Sequence, residues 1–126
     1  MQGNFALIVR ACRSPEWGEV WEALGCEVRS FAALGIPEGA PDSVVWRVCQ
    51  DSQTVLVTGN RNAEGPHSLE LTIREHNDPT SLPVLTLADP RRITQDTAYA
   101  DRVSTRFLDI LLDIEAYRGT GRLYLP

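Results

Sequence analysis

Two short apolar runs constrain the fold of this chain more than any other feature of its sequence. Residues 54–58 read TVLVT and residues 82–87 read LPVLTL. Both runs are apolar almost without interruption, which is typical of strands that are covered on both faces of a sheet. Because many residues separate them, we expect a parallel pair joined by a crossover segment rather than a hairpin.

The segment between these runs, residues 68–76, is ambiguous by its pattern alone. Leu69, Leu71 and Ile73 alternate with polar residues, as they would in a strand. We nevertheless predict a helix, because two parallel strands need a crossover connection between them. Arg74 is then expected to pair with Glu70 one helical turn away.

The strongest helical pattern lies in residues 94–117. Apolar residues recur there on one side at helical spacing, namely Val103, Phe107, Ile110, Leu111 and Ile114. Either Thr94 or Asp96 is suited to cap the start of this helix. Gly119 is suited to end it.

The remaining segments give weaker patterns. Residues 42–50, after Pro41, have helical spacing, and residues 26–31 alternate like a half-buried strand. Residues 17–24 fit a helix that ends at a glycine, and residues 5–9 fit either a strand or one side of a helix. Alternating strands and helices predict an α/β fold, a three-layer α/β/α sandwich with a mostly parallel sheet. At 126 residues the chain is expected to form a single domain, residues 1–126.

Composition narrows the classes of function. The net charge is −5, so we do not expect the chain to coat nucleic acid nonspecifically. All 12 basic residues are arginines, whose planar groups suit carboxylates and phosphates. The three cysteines have no CxxC spacing and are expected to be free thiols. No signal peptide or apolar run of membrane-spanning length occurs in the sequence, so we expect a cytoplasmic protein that does not bind membranes.

Polar residues follow each predicted strand, where ligands bind in open parallel sheets. Asn60, Arg61 and Asn62 come after the first apolar run. Asp89 and Arg91 come after the second. A third polar position, Asp42, lies at the start of a predicted helix.

Four sequence motifs resemble those of the PIN-like domain superfamily, in particular an uncharacterised, mainly cyanobacterial and bacterial branch of it. They are TGNRN at residues 58–62, SLELTIR at 68–74, TSLPV at 80–84 and GTGRL at 119–123. The resemblance covers roughly residues 28–126. It implies the PIN-like three-layer fold and, because small PIN-like proteins often pair, a homodimer.

The resemblance also implies a metal-dependent ribonuclease, of a kind found in toxin–antitoxin systems, in which three or four acids hold Mg²⁺ or Mn²⁺. Asp42 would then be a catalytic metal ligand, with Asp89 as a second one. Asn60 and Asn62 stand where active members have aspartates, so each removes a negative charge that the cation needs. Residues 1–10 contain no acid to match the aspartate of the family's first strand, and this strand is expected to be missing here.

In the same comparison, Arg61 and Arg91 would contact the phosphates of an RNA substrate. These residues could also have purely structural roles: the asparagines could form a turn, and the arginines could be solvated surface charges. Asp42 would simply cap a helix, and Asp89 would end a strand.

A second hypothesis is a catalytically inactive PIN-like fold that serves as a protein-binding or dimerisation module. The number of carboxylates that converge at the strand ends separates the two hypotheses. Three carboxylates within about 6 Å of one another would favour the ribonuclease, because like charges so close usually need a cation.

Overall fold

The computed structural model describes residues 18–59 and 68–126, which form a mixed α/β arrangement around a small sheet. Its helices are α1 (Gly18–Leu24), α2 (Asp42–Asp51), α3 (Leu69–His76), α4 (Pro90–Gln95) and α5 (Thr97–Leu112). Its strands are β1 (Val57–Thr58), β2 (Val84–Leu87) and β3 (Arg122–Leu125), and a 3₁₀ turn spans Ile114–Tyr117. No helix in these two stretches is long and apolar enough to cross a membrane.

The sheet has the order β1-β2-β3, and both neighbouring pairs are parallel. This confirms the parallel pairing predicted for the two apolar runs. The first strand is shorter than expected and only half-buried. The strand begins later than predicted because the chain is still leaving α2 at residues 53 and 54. Gln53 has a φ of 51°, and the N–H of Thr54 donates to the carbonyl of Cys49.

One face of the sheet packs against α1 and α5. Leu85, Leu87 and Leu125 are at most 1 % exposed and join the buried side chains of the long helix. The ring centroids of Trp21 in α1 and Phe107 in α5 lie 6.4 Å apart. The apolar stripe predicted for this helix is confirmed, since all of its members belong to or pack against this core.

The other face packs against α2 and α3. Val84 of β2 contacts a buried cluster with Trp46, Leu69 and Ile73. A neighbouring cluster joins α2 to the loop before it through Ile36, Val45 and Cys49. Helices therefore cover both sides of the sheet.

The crossover between β1 and β2 contains the helix predicted at residues 68–76, which is α3. Ser68 is the N-cap of α3, and its hydroxyl accepts a hydrogen bond from the N–H of Leu71. The expected pair within this helix is wrong, however. Glu70 lies 3.3 Å from the Nε of Arg122 on β3 instead of pairing with Arg74.

The strand predicted at residues 26–31 is wrong. These residues form a loop and a turn, closed by a hydrogen bond from the Ile36 N–H to the Phe31 carbonyl. Val28 is 51 % exposed and Phe31 is 48 % exposed. The alternating pattern therefore has no buried side to pack against in this part of the structure, and alternation alone does not make a strand.

The long helix predicted at residues 94–117 is divided into several pieces. Asp96 ends α4 and caps α5, and its carboxylate accepts a hydrogen bond from the Tyr99 N–H. The helix ends at Leu112 and continues as the 3₁₀ turn. Gly119, with a φ of 88°, then turns the chain towards β3, a strand that the sequence patterns did not predict.

Cys26 and Cys49 are free thiols, as expected, and burial raises the pKa of both. Cys12 and the segment at residues 5–9 lie outside the described residues, as does Trp17. The helix predicted at residues 17–24 is confirmed from Gly18 to Leu24.

Candidate functional site

The three parallel strands end at one edge of the sheet, the edge where ligands bind in open α/β folds. β1 ends at Thr58, β2 at Leu87 and β3 at Leu125. The N–H of Ala88 donates to the carbonyl of Leu125, so β2 and β3 remain paired to their last residues.

Asp89 and Arg91 follow β2 at this edge. Asp89 occupies the N-cap position of α4 and is exposed, but its side chain makes no capping hydrogen bond. The N–H of Arg92 donates instead to the Asp89 backbone carbonyl. Arg91 is exposed on the first turn of α4. Both residues therefore stand next to the carboxyl end of β2, with side chains open to solvent.

Asp42 is the first residue of α2 and is half-buried. The N-cap role considered for it is wrong by one position, because extended Pro41 precedes the helix and its carbonyl accepts from Val44 and Val45. The last turn of α2 lies near the amino end of the sheet, because the side chain of Gln50 is hydrogen-bonded to the backbone of Leu82, just before β2.

The expected metal ligands do not form an acidic cluster in the part of the chain that the structure describes. Within residues 18–59 and 68–126, no group of three or more His, Cys, Asp or Glu side chains is placed to hold a metal ion. Asn60, Arg61 and Asn62 lie outside the described residues. The described carboxylates thus do not fit an Mg²⁺ or Mn²⁺ site built from three or four acids.

Polar side chains do gather near this edge, on the face that carries α3. Thr58, Thr86 and Tyr124 are register partners across the three strands, and we call them the polar row. Successive side chains alternate between the faces of a sheet. Thr86 therefore points away from the core that contains Leu85 and Leu87, and Tyr124 from the core that contains Leu125.

Arg122 anchors the polar row. Its Nη1 donates to the hydroxyl oxygen of Thr86 at 2.8 Å, and its Nε lies 3.3 Å from the Glu70 carboxylate. The side chain of Arg122 is 7 % exposed, and Thr86 is fully buried. A guanidinium so deeply buried would be costly without a neighbouring negative charge, and Glu70 supplies one. The Arg122 guanidinium also lies 5.9 Å from the exposed ring of Tyr124.

This arrangement offers hydroxyl groups, one guanidinium and one carboxylate that is already engaged. Thr58 and Tyr124 are accessible for hydrogen bonds to a ligand, whereas Thr86 and Arg122 are buried and bonded to each other. The arrangement does not supply the concentrated negative charge that a hard cation needs. Arg122 and Thr86 were not singled out from the sequence, and Glu70 was considered only as a helix partner for Arg74. The alternation of Arg122 and Tyr124 with two leucines, directly after Gly121, is the feature that could have revealed β3 and its polar face.

No protein-family model, curated protein or solved structure matches this chain. The PIN-like assignment therefore rests on the four sequence motifs alone.

Proposed function

We propose that this chain is a PIN-like domain, with the three-layer sandwich of that superfamily, that acts as a binding module and does not cleave RNA on its own. The observation that supports this is the make-up of the sheet face that carries α3. Among the described side chains, this face has a row of hydroxyl groups and the Arg122–Glu70 ion pair, whose arginine is buried and whose carboxylate is half-exposed, without a group of three metal ligands.

The charge balance of the motif residues supports the same proposal. Asn60 and Asn62 bring neutral oxygens to positions that carry aspartates in active members. The carboxylate of Glu70 is already paired with Arg122, the arginine that donates to Thr86 of the polar row. A divalent cation held mainly by neutral oxygens would be bound weakly. The chain is therefore proposed to use its surface for partners, either another protein or a second copy of itself.

A second candidate function is the metal-dependent ribonuclease of a toxin–antitoxin-like system. The positions of Asp42 and Asp89 favour it, since one begins α2 and the other follows β2, where the PIN-like motifs would have acids. Asp42 would hold the Mg²⁺ or Mn²⁺ ion with Asp89, and Arg61 and Arg91 would contact RNA phosphates. The ion would supply an activated water molecule.

Cleavage of a labelled single-stranded RNA with Mn²⁺ or Mg²⁺ separates the two candidates. The binding-module proposal predicts no cleavage above a buffer control and no difference between the wild-type chain and Asp42→Asn. Metal-dependent cleavage that is lost in Asp42→Asn would instead establish the ribonuclease. Asp51→Asn is the matched control, because it removes one exposed carboxylate from the other end of the same helix.

A further inference from the structure

Three exposed arginines on α4 and α5 are held against tyrosine rings. The guanidinium carbons of Arg92 and Arg102 lie 4.6 Å and 5.4 Å from the ring centroid of Tyr99. That of Arg106 lies 5.8 Å from the ring of Tyr117. We call these three arginines the arginine surface. Such contacts hold a long side chain in place while its charged end stays in water.

The positive charge of this surface is only partly balanced. Arg92 pairs with Asp96 at 3.3 Å. Neither Arg102 nor Arg106 has a carboxylate within ion-pair distance in the described part of the chain, although Asp101 and Asp109 are close in sequence.

Arg92 and Arg102 share one ring, so their guanidinium groups lie no farther apart than the sum of their two distances to it. Because Tyr99 is only 3 % exposed, the ring that holds both groups is itself fixed in the core.

We propose that the arginine surface is a docking site for an acidic helical segment of a partner protein. Arg102 and Arg106 are one turn apart on α5, which brings their side chains to one face at about 5–6 Å spacing between Cβ atoms. Glutamates four residues apart on a partner helix have the same spacing. The tyrosine contacts also reduce the side-chain entropy that binding would otherwise cost.

The acidity of the chain decides between a protein and a nucleic acid as the partner. With a net charge of −5, the chain as a whole repels a long polyanion. A segment with a few well-placed carboxylates needs only the local guanidinium groups. This inference rests on the proposed binding role and adds the chemistry of the partner.

The test uses the full chain and a fluorescent alanine-rich helical peptide that carries glutamates at i, i+4 spacing, with binding followed by anisotropy. We expect saturable binding that weakens as salt is raised. The double variant Arg102→Gln/Arg106→Gln should bind about tenfold or more weakly, as expected when paired charges are removed.

The matched control is Arg47→Gln/Arg74→Gln, which removes two exposed arginines from α2 and α3. Arg47 also lies over an aromatic ring, that of Trp46. It should bind the peptide within about twofold of the wild-type chain, since surface charges far from the site contribute little at moderate salt. Circular dichroism of both variants shows whether each is folded.

Several results would overturn the inference. They are the absence of peptide binding, an equal loss in both double variants, or tighter binding of a uridine oligoribonucleotide than of the peptide at the arginine surface. Failure of the proposed function has a different signature. A chain that cleaves RNA through Asp42 and still binds the peptide through Arg102 and Arg106 would overturn the binding-module proposal alone.

Discussion

The side chain of Gln50 pairs with the backbone of Leu82 as a neighbouring strand would. Its Nε2 donates to the Leu82 carbonyl at 2.9 Å, and its Oε1 accepts from the Leu82 N–H at 2.9 Å. Leu82 lies just before β2 and is 4 % exposed, so these backbone groups have little access to water. The last turn of α2 is thereby fixed to the amino end of the sheet, which determines where the first turn of α2, with Asp42, points.

Gln50→Ala is expected to destabilise the fold. It removes both partners of a buried backbone N–H and C=O, a loss that costs about 1–3 kcal/mol in the free energy of unfolding. Chemical denaturation monitored by circular dichroism measures it. Gln95→Ala removes the same side chain from an exposed helix end and should change stability by less than about 0.5 kcal/mol. Equal stability of the two variants would contradict the proposed role of Gln50.

Gly119→Ala is expected to be more damaging than Gly39→Ala. Both glycines have positive φ, 88° and 79°, so both variants carry the same backbone strain. A Cβ at Gly119 would also lie 3.2 Å from the backbone Cα of Pro79, whereas a Cβ at Gly39 meets nothing within 4 Å. We expect the loss at Gly119 to exceed that at Gly39 by about 1 kcal/mol or more, since the contacting backbone must shift. Similar melting temperatures for the two variants would contradict this packing.

The Arg122–Glu70 contact is expected to show energetic coupling. In a double-mutant cycle with Glu70→Gln and Arg122→Met, we expect a coupling energy of about 1–2 kcal/mol. This exceeds the coupling of surface ion pairs because Arg122 is buried. It falls below the coupling of fully buried pairs because Glu70 is half-exposed. Denaturation of the four proteins gives this value. The pair Arg92 and Asp96, exposed on both sides, serves as the comparison and should couple more weakly. A coupling near zero at Arg122–Glu70 would show that the pair does not hold β3 to α3.

Stability should fall in acid partly through Asp96. Hydrogen bonding from the Tyr99 N–H, followed by the nearby Arg92, lowers the pKa of Asp96 below its ordinary value. A carboxylate with a lowered pKa in the folded state stabilises the fold fully above its unfolded pKa, about 3.9, and this contribution is lost as the pH falls through the folded pKa. Asp96→Asn should therefore be less stable than the wild-type chain at pH 6, and the difference should shrink towards pH 3. Urea midpoints at the two pH values measure it, and a difference that stays constant would contradict this assignment.

Local sequence patterns predicted the elements that bury a continuous apolar side. The stripe of α5 packs against the core, with Leu111 and Ile114 only partly buried, and the residues of β2 are all buried, so the patterns were sufficient to find both elements. The α3 helix was predicted against its own alternating pattern, because the topology required a crossover there. The residues 26–31 had a similar alternation without a buried face, and in that case the pattern misled.

The candidate site was less accessible to prediction. Asp89 could be placed after a strand from local patterns, whereas Asp42 could be placed only at the start of a helix, since the strand predicted before it is wrong. The contact between Arg122 and Glu70 joins residues that are distant in sequence, and it depends on β3 lying beside β2. A four-residue strand with two polar positions gives too weak a pattern to predict that pairing. Asn60, Arg61 and Asn62 remain predictions.

Isothermal titration of Mn²⁺ and Mg²⁺ into the pure protein, with Asp42→Ala titrated in parallel, shows whether the chain binds a divalent cation. A binding module without a metal site gives no saturable heat with either ion up to millimolar concentration, and no difference between the two proteins. Saturable binding in the micromolar to low-millimolar range that disappears in Asp42→Ala would contradict the binding-module proposal, because it would show a metal site that this proposal denies.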